Sequence, residues 1–189
     1  SYQRKDLQFL GIYNEDLIGR RARNEFSGKE ILVLPSQLID SDIGTGIAMS
    51  VPASSPVDYI QLRELQNNTL VRNVPQKEIE DIEITPVIGT KRFGNKGAVS
   101  LVEKEPISLG DKVSLDKLTK ELYSEEYHTG IMMDIAGKYS GKKVSEVKEE
   151  IKMKLIHEGH AGTMYETSRK AYSRTGGKII VAVIEDQWF

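Results

Sequence analysis

The stretch GTGIAMSVPASSPVDY, residues 44–59, constrains this chain more than any other. It joins a Gly-Thr-Gly turn, an apolar run that reads as a well-buried strand over residues 46–52, a small-residue loop and a helix start. Ser55 stands at the N-cap position and Pro56 at the first helical position, where its fixed φ and missing N–H are harmless. Val57, Ile60, Gln61 and Leu65 then recur on neighbouring turns, before Asn67 and Asn68 stop the helix. Asp58 falls three residues after the cap. There its carboxylate is expected to reach back to the Ser55 amide and to complement the helix dipole, a stabilising role worth about 1 kcal/mol. The same placement aims an acid across Ala53-Ser54-Ser55, beside the strand, where it can receive an ammonium group. The residues alone leave both roles open.

Further strand signals occupy residues 7–13 (LQFLGIY) and 29–35 (KEILVLP). Residues 79–90 and 98–107 are expected to form a hairpin around a long tip, GTKRFGNKG. Residues 114–127 carry Leu115, Leu118 and Leu122 at helical spacing behind Ser114, with Asp116 and Lys120 as an i,i+4 pair. A further helix over residues 145–159 repeats Val147, Ile151 and Leu155 and stops at Gly159. The end of the chain, a Gly-Gly turn and then IIVAVI, reads as a strand buried on both faces. Strands outnumber helices in mixed order, so the expected class is α/β or mixed α+β, with an antiparallel barrel-like sheet core and peripheral helices.

A chain of 189 residues suits one domain, or one domain with a large insertion, and buries about 70% of its unfolded surface. Its 26 Lys and Arg against 28 Asp and Glu leave a net charge of -2, so contact with nucleic acid is expected to be local. There is no cysteine, which excludes disulfides, thiolate metal sites and a cysteine nucleophile. No signal-peptide pattern and no run of membrane-spanning length occurs, and a soluble, cytoplasmic protein is expected. The chain opens without methionine and stops directly after an apolar strand pattern, as an excised piece of something larger does.

Several sites of familiar chemistry fail on their residues. GTKRFGNKG has two glycines at P-loop spacing, but Asn95 holds the lysine position and Gly97 stands where a magnesium-binding hydroxyl is needed. What remains is a basic tip of Lys91, Arg92 and Lys96, able to touch a phosphate backbone, with a plain exposed loop as the alternative. His157 and His160 lie three apart across Gly159, a spacing that loses helical geometry, so no metal site is expected. No GxSxG elbow is present, and Gly44-Thr45-Gly46 lacks the third glycine of a dinucleotide fingerprint.

At residues 44–59 the chain resembles the editing domain inserted in the class I aminoacyl-tRNA synthetases for leucine, isoleucine and valine, which share a GTG, a strand, a proline and a trailing acid-aromatic pair. Met49 matches the leucyl family, where the isoleucyl family tends to place His and the valyl family Lys. The residues leading into this signature, the segments EEYHTGIMM and GKYSGKKVSEVKEEI, and YSRTGGKIIVAVIEDQWF resemble the archaeal and eukaryotic leucyl type in the same order. The resemblance implies one editing domain over residues 1–189 with a family-type insertion at 85–165.

By that resemblance, the terminal adenosine of tRNA-Leu carrying isoleucine, methionine or a similar amino acid enters a pocket and water cleaves the ester. A second site of this kind is needed because apolar side chains differing by a methylene give only about 10–200-fold discrimination. The resemblance assigns Asp58 to the α-ammonium, and Gly44, Thr45, Gly46, Met49, Val51, Pro52 and Ser54 to the substrate pocket; many relatives carry His in place of Ser54. No cofactor is implied for this domain, since the HIGH and KMSKS signatures of the parent enzyme's ATP site are absent. The implied partners are the tRNA-Leu acceptor end and the rest of the parent synthetase, with no membrane and a monomeric state. The family's threonine-rich segment, which lines the opposite wall, has no match here and is expected upstream of Ser1. The alternatives are a catalytically incomplete module that binds tRNA or its synthetase, and the editing domain of the isoleucyl or valyl relative.

Overall fold

The computed structural model describes residues 14–24, 27–39, 45–67, 70–105, 107–169 and 171–182. The expected strand at residues 7–13, the last residues of the C-terminal strand and Gly44 lie outside the described residues. A 3-10 turn, Asn14–Leu17, leads into strand β1 (Arg21–Arg23), which pairs antiparallel with β2 (Glu30–Leu32) in the register Ala22 to Ile31. Then come α1 (Pro56–Gln66), α2 (Gln76–Glu80), β3 (Ile88–Gly89), α3 (Gly97–Lys104), α4 (Lys112–Thr129), β4 (Ile131–Met132) and α5 (Val144–His157). β3 pairs antiparallel with β4. The class is therefore mixed α and β, but the described strands make two separate two-stranded ladders, not a barrel-like sheet.

Helix α1 forms where its start chemistry places it. Ser55, in extended conformation, accepts the Asp58 amide on its hydroxyl, and Pro56 opens the helix. Its inner face buries Tyr59, Ile60 and Leu62. α4 begins two residues before the expected Ser114, because Asp111 acts as the cap and accepts the Ser114 amide at 3.1 Å. The Asp116–Lys120 pair is made at 2.6 Å. α5 ends as its sequence indicates: Gly159 turns left-handed, at φ 77°, and the His160 amide returns to the Leu155 carbonyl at 2.9 Å.

Four expected strands are corrected. Residues 97–104 form α3, because Ala98, Leu101 and Val102 fall at i, i+3 and i+4 and turn one side of a helix toward Tyr59 and Leu122. Gly97 has no Cβ to collide with Leu122, which lets α3 lie close against α4. The long hairpin tip is absent: Thr90 and Gly94 exchange both backbone hydrogen bonds at 3.0 Å and close a loop of three residues. Residues 79–90 contain the end of α2 and only the two-residue β3. Among the described residues, 46–52 pair with no strand and Ile47, Met49 and Val51 are exposed, with Ile47 and Met49 bordering an open cavity. At the far end, Tyr172 bridges Lys178 around a turn, and Ile179 and Ile180 beyond it are exposed.

The core is divided into three clusters. Val71, Val74 and Ile79 gather Leu32, Leu34 and Leu65 under the first ladder. Tyr59, Ala98 and Leu122 join α1, α3 and α4. Met132, Ala136, Tyr139 and Val147 seat α5 on the second ladder. Each cluster removes several apolar side chains from water, at about 1.5–3 kcal/mol for each one fully buried. The middle cluster matters most for the site, because it fixes the direction of α1.

Candidate functional site

The N-terminus of α1 is tied to the residues before it by a compact knot. Pro52 opens a turn in which the Val51 carbonyl accepts the amides of Ser54 and Ser55, each at 2.9 Å. The Val51 amide in turn donates to Oδ2 of Asp58 at 2.7 Å. The expected bond from Asp58 to the Ser55 amide is therefore not made: that amide is already taken by Val51, and Asp58 reaches one turn further back. Asp58 Oδ1 takes no hydrogen bond among the described residues. The carboxylate thus ties down its own loop with one oxygen and leaves the other for a ligand.

Asp58 stands on the wall of a cavity of about 1120 Å³. The first ladder supplies one side through Ala22 and Ile31, and the segment 46–50 supplies another through Gly46 and Met49. Gly46 adopts φ 68°, a left-handed turn that suits glycine. Thr45 braces it, its hydroxyl meeting the Ile47 amide at 3.3 Å and the Ile47 carbonyl at 3.2 Å. Met49 spans toward β1, where the Asn24 side-chain amide lies 3.3 Å from its sulfur. Thr45, Val51, Pro52 and Ser54 stand behind this lining, so the structure brings Gly46, Met49 and Asp58 to the cavity surface and uses the others to shape the loop. Arg20, Arg23 and Arg72 also line the cavity and give it cationic groups that the sequence reading missed.

The basic tip lies elsewhere. Lys91, Arg92 and Lys96 belong to the loop and helix start beside α4, outside the cavity lining. Arg92 is engaged there: its guanidinium pairs with Glu121 and sits 4.6 Å from the centre of the Phe93 ring. Lys91 and Lys96 are exposed.

Two further polar residues back the site. Tyr59, buried on α1, donates its hydroxyl to Glu103 at 2.9 Å, and burial together with that carboxylate raises its pKa. Glu126 on α4 is only 6% exposed. Burial pushes its carboxyl up to about 7, against a smaller lowering by the nearby Ser54 side chain. Glu126 was detectable in the sequence: it falls four residues after Leu122, on the apolar stripe of its helix, where a carboxylate is out of place.

With this geometry in view, the relatives can be compared. The chain is 36% identical over 195 residues to the leucine–tRNA ligase of Pyrococcus horikoshii, an alignment covering 100% of this chain and 20% of the relative. It is 35% identical over 179 residues to that of Methanothrix thermoacetophila, covering 94% of this chain and 19% of the relative. The chain is homologous to the editing-domain segment of leucine–tRNA ligases. Its fold matches the solved structure of GlLeuRS-CP1 with a TM-score of 0.70 at 28% identity, over 85% of this chain and 63% of that one. It also matches the P. knowlesi cytosolic leucyl-tRNA synthetase editing domain with a TM-score of 0.67 at 25% identity, over 79% of this chain and 50% of that one. No family model matches. The chain spans about a fifth of the length of the ligases it aligns with. Within this homologous segment, Asp58 and Met49 occupy the cavity wall.

Proposed function

We propose that this segment edits mischarged tRNA-Leu, hydrolysing the ester between isoleucine, methionine or a similar amino acid and the terminal adenosine, within a leucine–tRNA ligase of the cytoplasm. The observation that carries this reading is Asp58, held at the cavity wall by the Val51 amide with its second oxygen unengaged. A carboxylate so placed binds the α-ammonium of the aminoacyl group, and the apolar wall that includes Met49 and Ile47 receives its side chain. Gly46, with Thr45 and Pro52 behind it, shapes the approach to that wall. Water attacks the ester carbonyl, the adenosine hydroxyl leaves with a proton, and no protein nucleophile is involved. The protein's contribution is to hold the ester and water in one orientation.

The acceptor end of tRNA-Leu and the remainder of the synthetase are the partners of this reading, with Lys91 and Lys96 as outlying phosphate contacts. The deciding experiment measures deacylation of isoleucyl-tRNA-Leu and leucyl-tRNA-Leu by the complete encoded polypeptide. Hydrolysis of the first in preference to the second, abolished by Asp58→Ala, is expected; equal rates for wild type and variant remove Asp58 from the reaction. Reversing Lys91 and Lys96 to Glu is expected to weaken tRNA binding and flatten its salt dependence, and unchanged affinity removes that contact.

A further inference from the structure

Asn24 directly follows strand β1 and lines the same cavity as Met49. Its backbone is held across the turn to β2: its amide donates to the Lys29 carbonyl at 2.8 Å, and its carbonyl accepts the Gly28 amide at 2.7 Å. Its side chain is held as well, because Oδ1 accepts the Ser27 amide at 2.9 Å. A backbone N–H can only donate, so it selects the oxygen of the carboxamide and leaves the Nδ2 group for the Met49 sulfur, 3.3 Å away. Methionine turns about three side-chain bonds and adapts to many shapes. Fixing its sulfur settles the first two torsions and leaves only the terminal methyl to turn. Two residues further on, the Val51 amide is bound by Asp58. The stretch 49–51 is thereby strung between the first ladder, through Asn24, and α1, through Asp58.

We propose that Asn24 is a positioning residue that sets specificity through Met49: it holds the thioether at one place on the cavity wall and so fixes the shape offered to the side chain of the aminoacyl group. Which amino acid meets that wall rests on the editing reading; that Met49 is held rests on the geometry alone. Met49 is 57% exposed, so little else confines it once its sulfur is released. A released thioether makes room for side chains branched at either carbon, isoleucine at Cβ and leucine at Cγ. Loss of the Asn24 donor therefore blurs the choice between isoleucyl and leucyl esters more than it slows the chemical step.

The test uses Asn24→Asp, Asn24→Ser, Met49→Leu and the Asn24→Asp/Met49→Leu double variant of the complete encoded polypeptide, with melting temperature as a check on folding. Asn24→Asp keeps an oxygen for the Ser27 amide and removes the donor to sulfur. Asn24→Ser does the same without adding charge, since its hydroxyl accepts that amide but is too short to reach Met49. Both are expected to lower the ratio of kcat/KM for isoleucyl-tRNA-Leu over leucyl-tRNA-Leu about fivefold, with kcat for the first changed less than about threefold. Both should also sharpen the methyl NMR signal of Met49, assigned by its loss in Met49→Leu, as the side chain gains motion. In the Met49→Leu background, which has no sulfur to hold, Asn24→Asp should leave the ratio where Met49→Leu alone puts it. If one of the two Asn24 variants does not fold, the other carries the same expectations. An unchanged ratio or an unchanged Met49 signal in either folded variant, or an equal shift in ratio with and without the sulfur, overturns the role of Asn24. Absence of deacylation by the wild type, with the Met49 signal still sharpened by Asn24→Ser, overturns the editing reading and leaves the holding of Met49 standing.

Discussion

Asp58 accepts the amide of Val51 at 2.7 Å across seven residues, so the acid that begins helix α1 also closes the loop in front of it. The bond lets one side chain be structural and ligand-binding at once, because a carboxylate has two oxygens and the loop uses one. Structure and binding can therefore be separated by substitution.

Asp58→Asn keeps an oxygen for the Val51 amide and loses the charge, whereas Asp58→Ala loses both. The Asn variant is expected to melt within a few degrees of wild type and yet to fall by about tenfold or more in kcat/KM for deacylation, as expected when a charged partner is lost from a ligand pair. The Ala variant should lose stability as well. Thermal melts and deacylation assays run on both variants check the pair of outcomes, and a fully active Asn variant would falsify the ammonium role.

Ser55→Ala removes the hydroxyl that accepts the Asp58 amide at 3.3 Å. Loss of an N-cap of this kind is expected to lower stability by about 1 kcal/mol, read from urea unfolding as a shifted midpoint with an unchanged slope. Because Ser55 is buried at the hinge between the loop and α1, activity should fall with it.

Glu126 makes stability depend on pH in the direction opposite to an ion-paired acid. Its folded pKa of about 7 lies above the ordinary 4.5, so between those values the folded chain holds a proton that the unfolded chain has released. Its contribution is fully present below about pH 4.5 and is lost as pH rises through 7. Moving from pH 8 to pH 5.5 should stabilise the fold by on the order of 2 kcal/mol, a rise of about 5 °C in Tm. Asp111, Glu149 and Glu150, whose carboxyls are held low by their hydrogen-bond partners, act in the opposite sense only in more acid solution. Glu126→Gln should flatten the profile between pH 5.5 and 8, and a flat wild-type profile would contradict the buried titration.

Gly130 separates α4 from β4 with a backbone that any residue can adopt, at φ -65° and ψ 139°. A methyl there would nevertheless overlap the Glu126 carbonyl and press on Ile88. Gly130→Ala is therefore expected to destabilise the fold by about 2 kcal/mol, an overpacking effect that calorimetry can measure. Neither neighbour can yield easily, since one is helix backbone and the other belongs to β3.

Local chemistry was legible in the sequence wherever it acts over a few residues. Ser55, Pro56, the leucines of α4 and Gly159 announced helix starts, faces and ends, because capping and periodicity are settled within one or two turns of chain. The ordered resemblance around residues 44–59 also pointed to the homologous segment of leucine–tRNA ligases. Tertiary structure decided what depends on neighbours. Whether the apolar run 46–52 became a buried strand or an exposed stretch with Ile47 and Met49 on a cavity wall was decided by its tertiary surroundings, and Ala98, Leu101 and Val102 became a helix because Tyr59 and Leu122 gave that face somewhere to pack. Only the fold could direct Asp58 to Val51 in place of Ser55, since the turn had already occupied the Ser55 amide. Only the fold, too, could bring Glu126, in the last turn of α4, near Ser54, more than seventy positions away, a proximity that no spacing rule encodes.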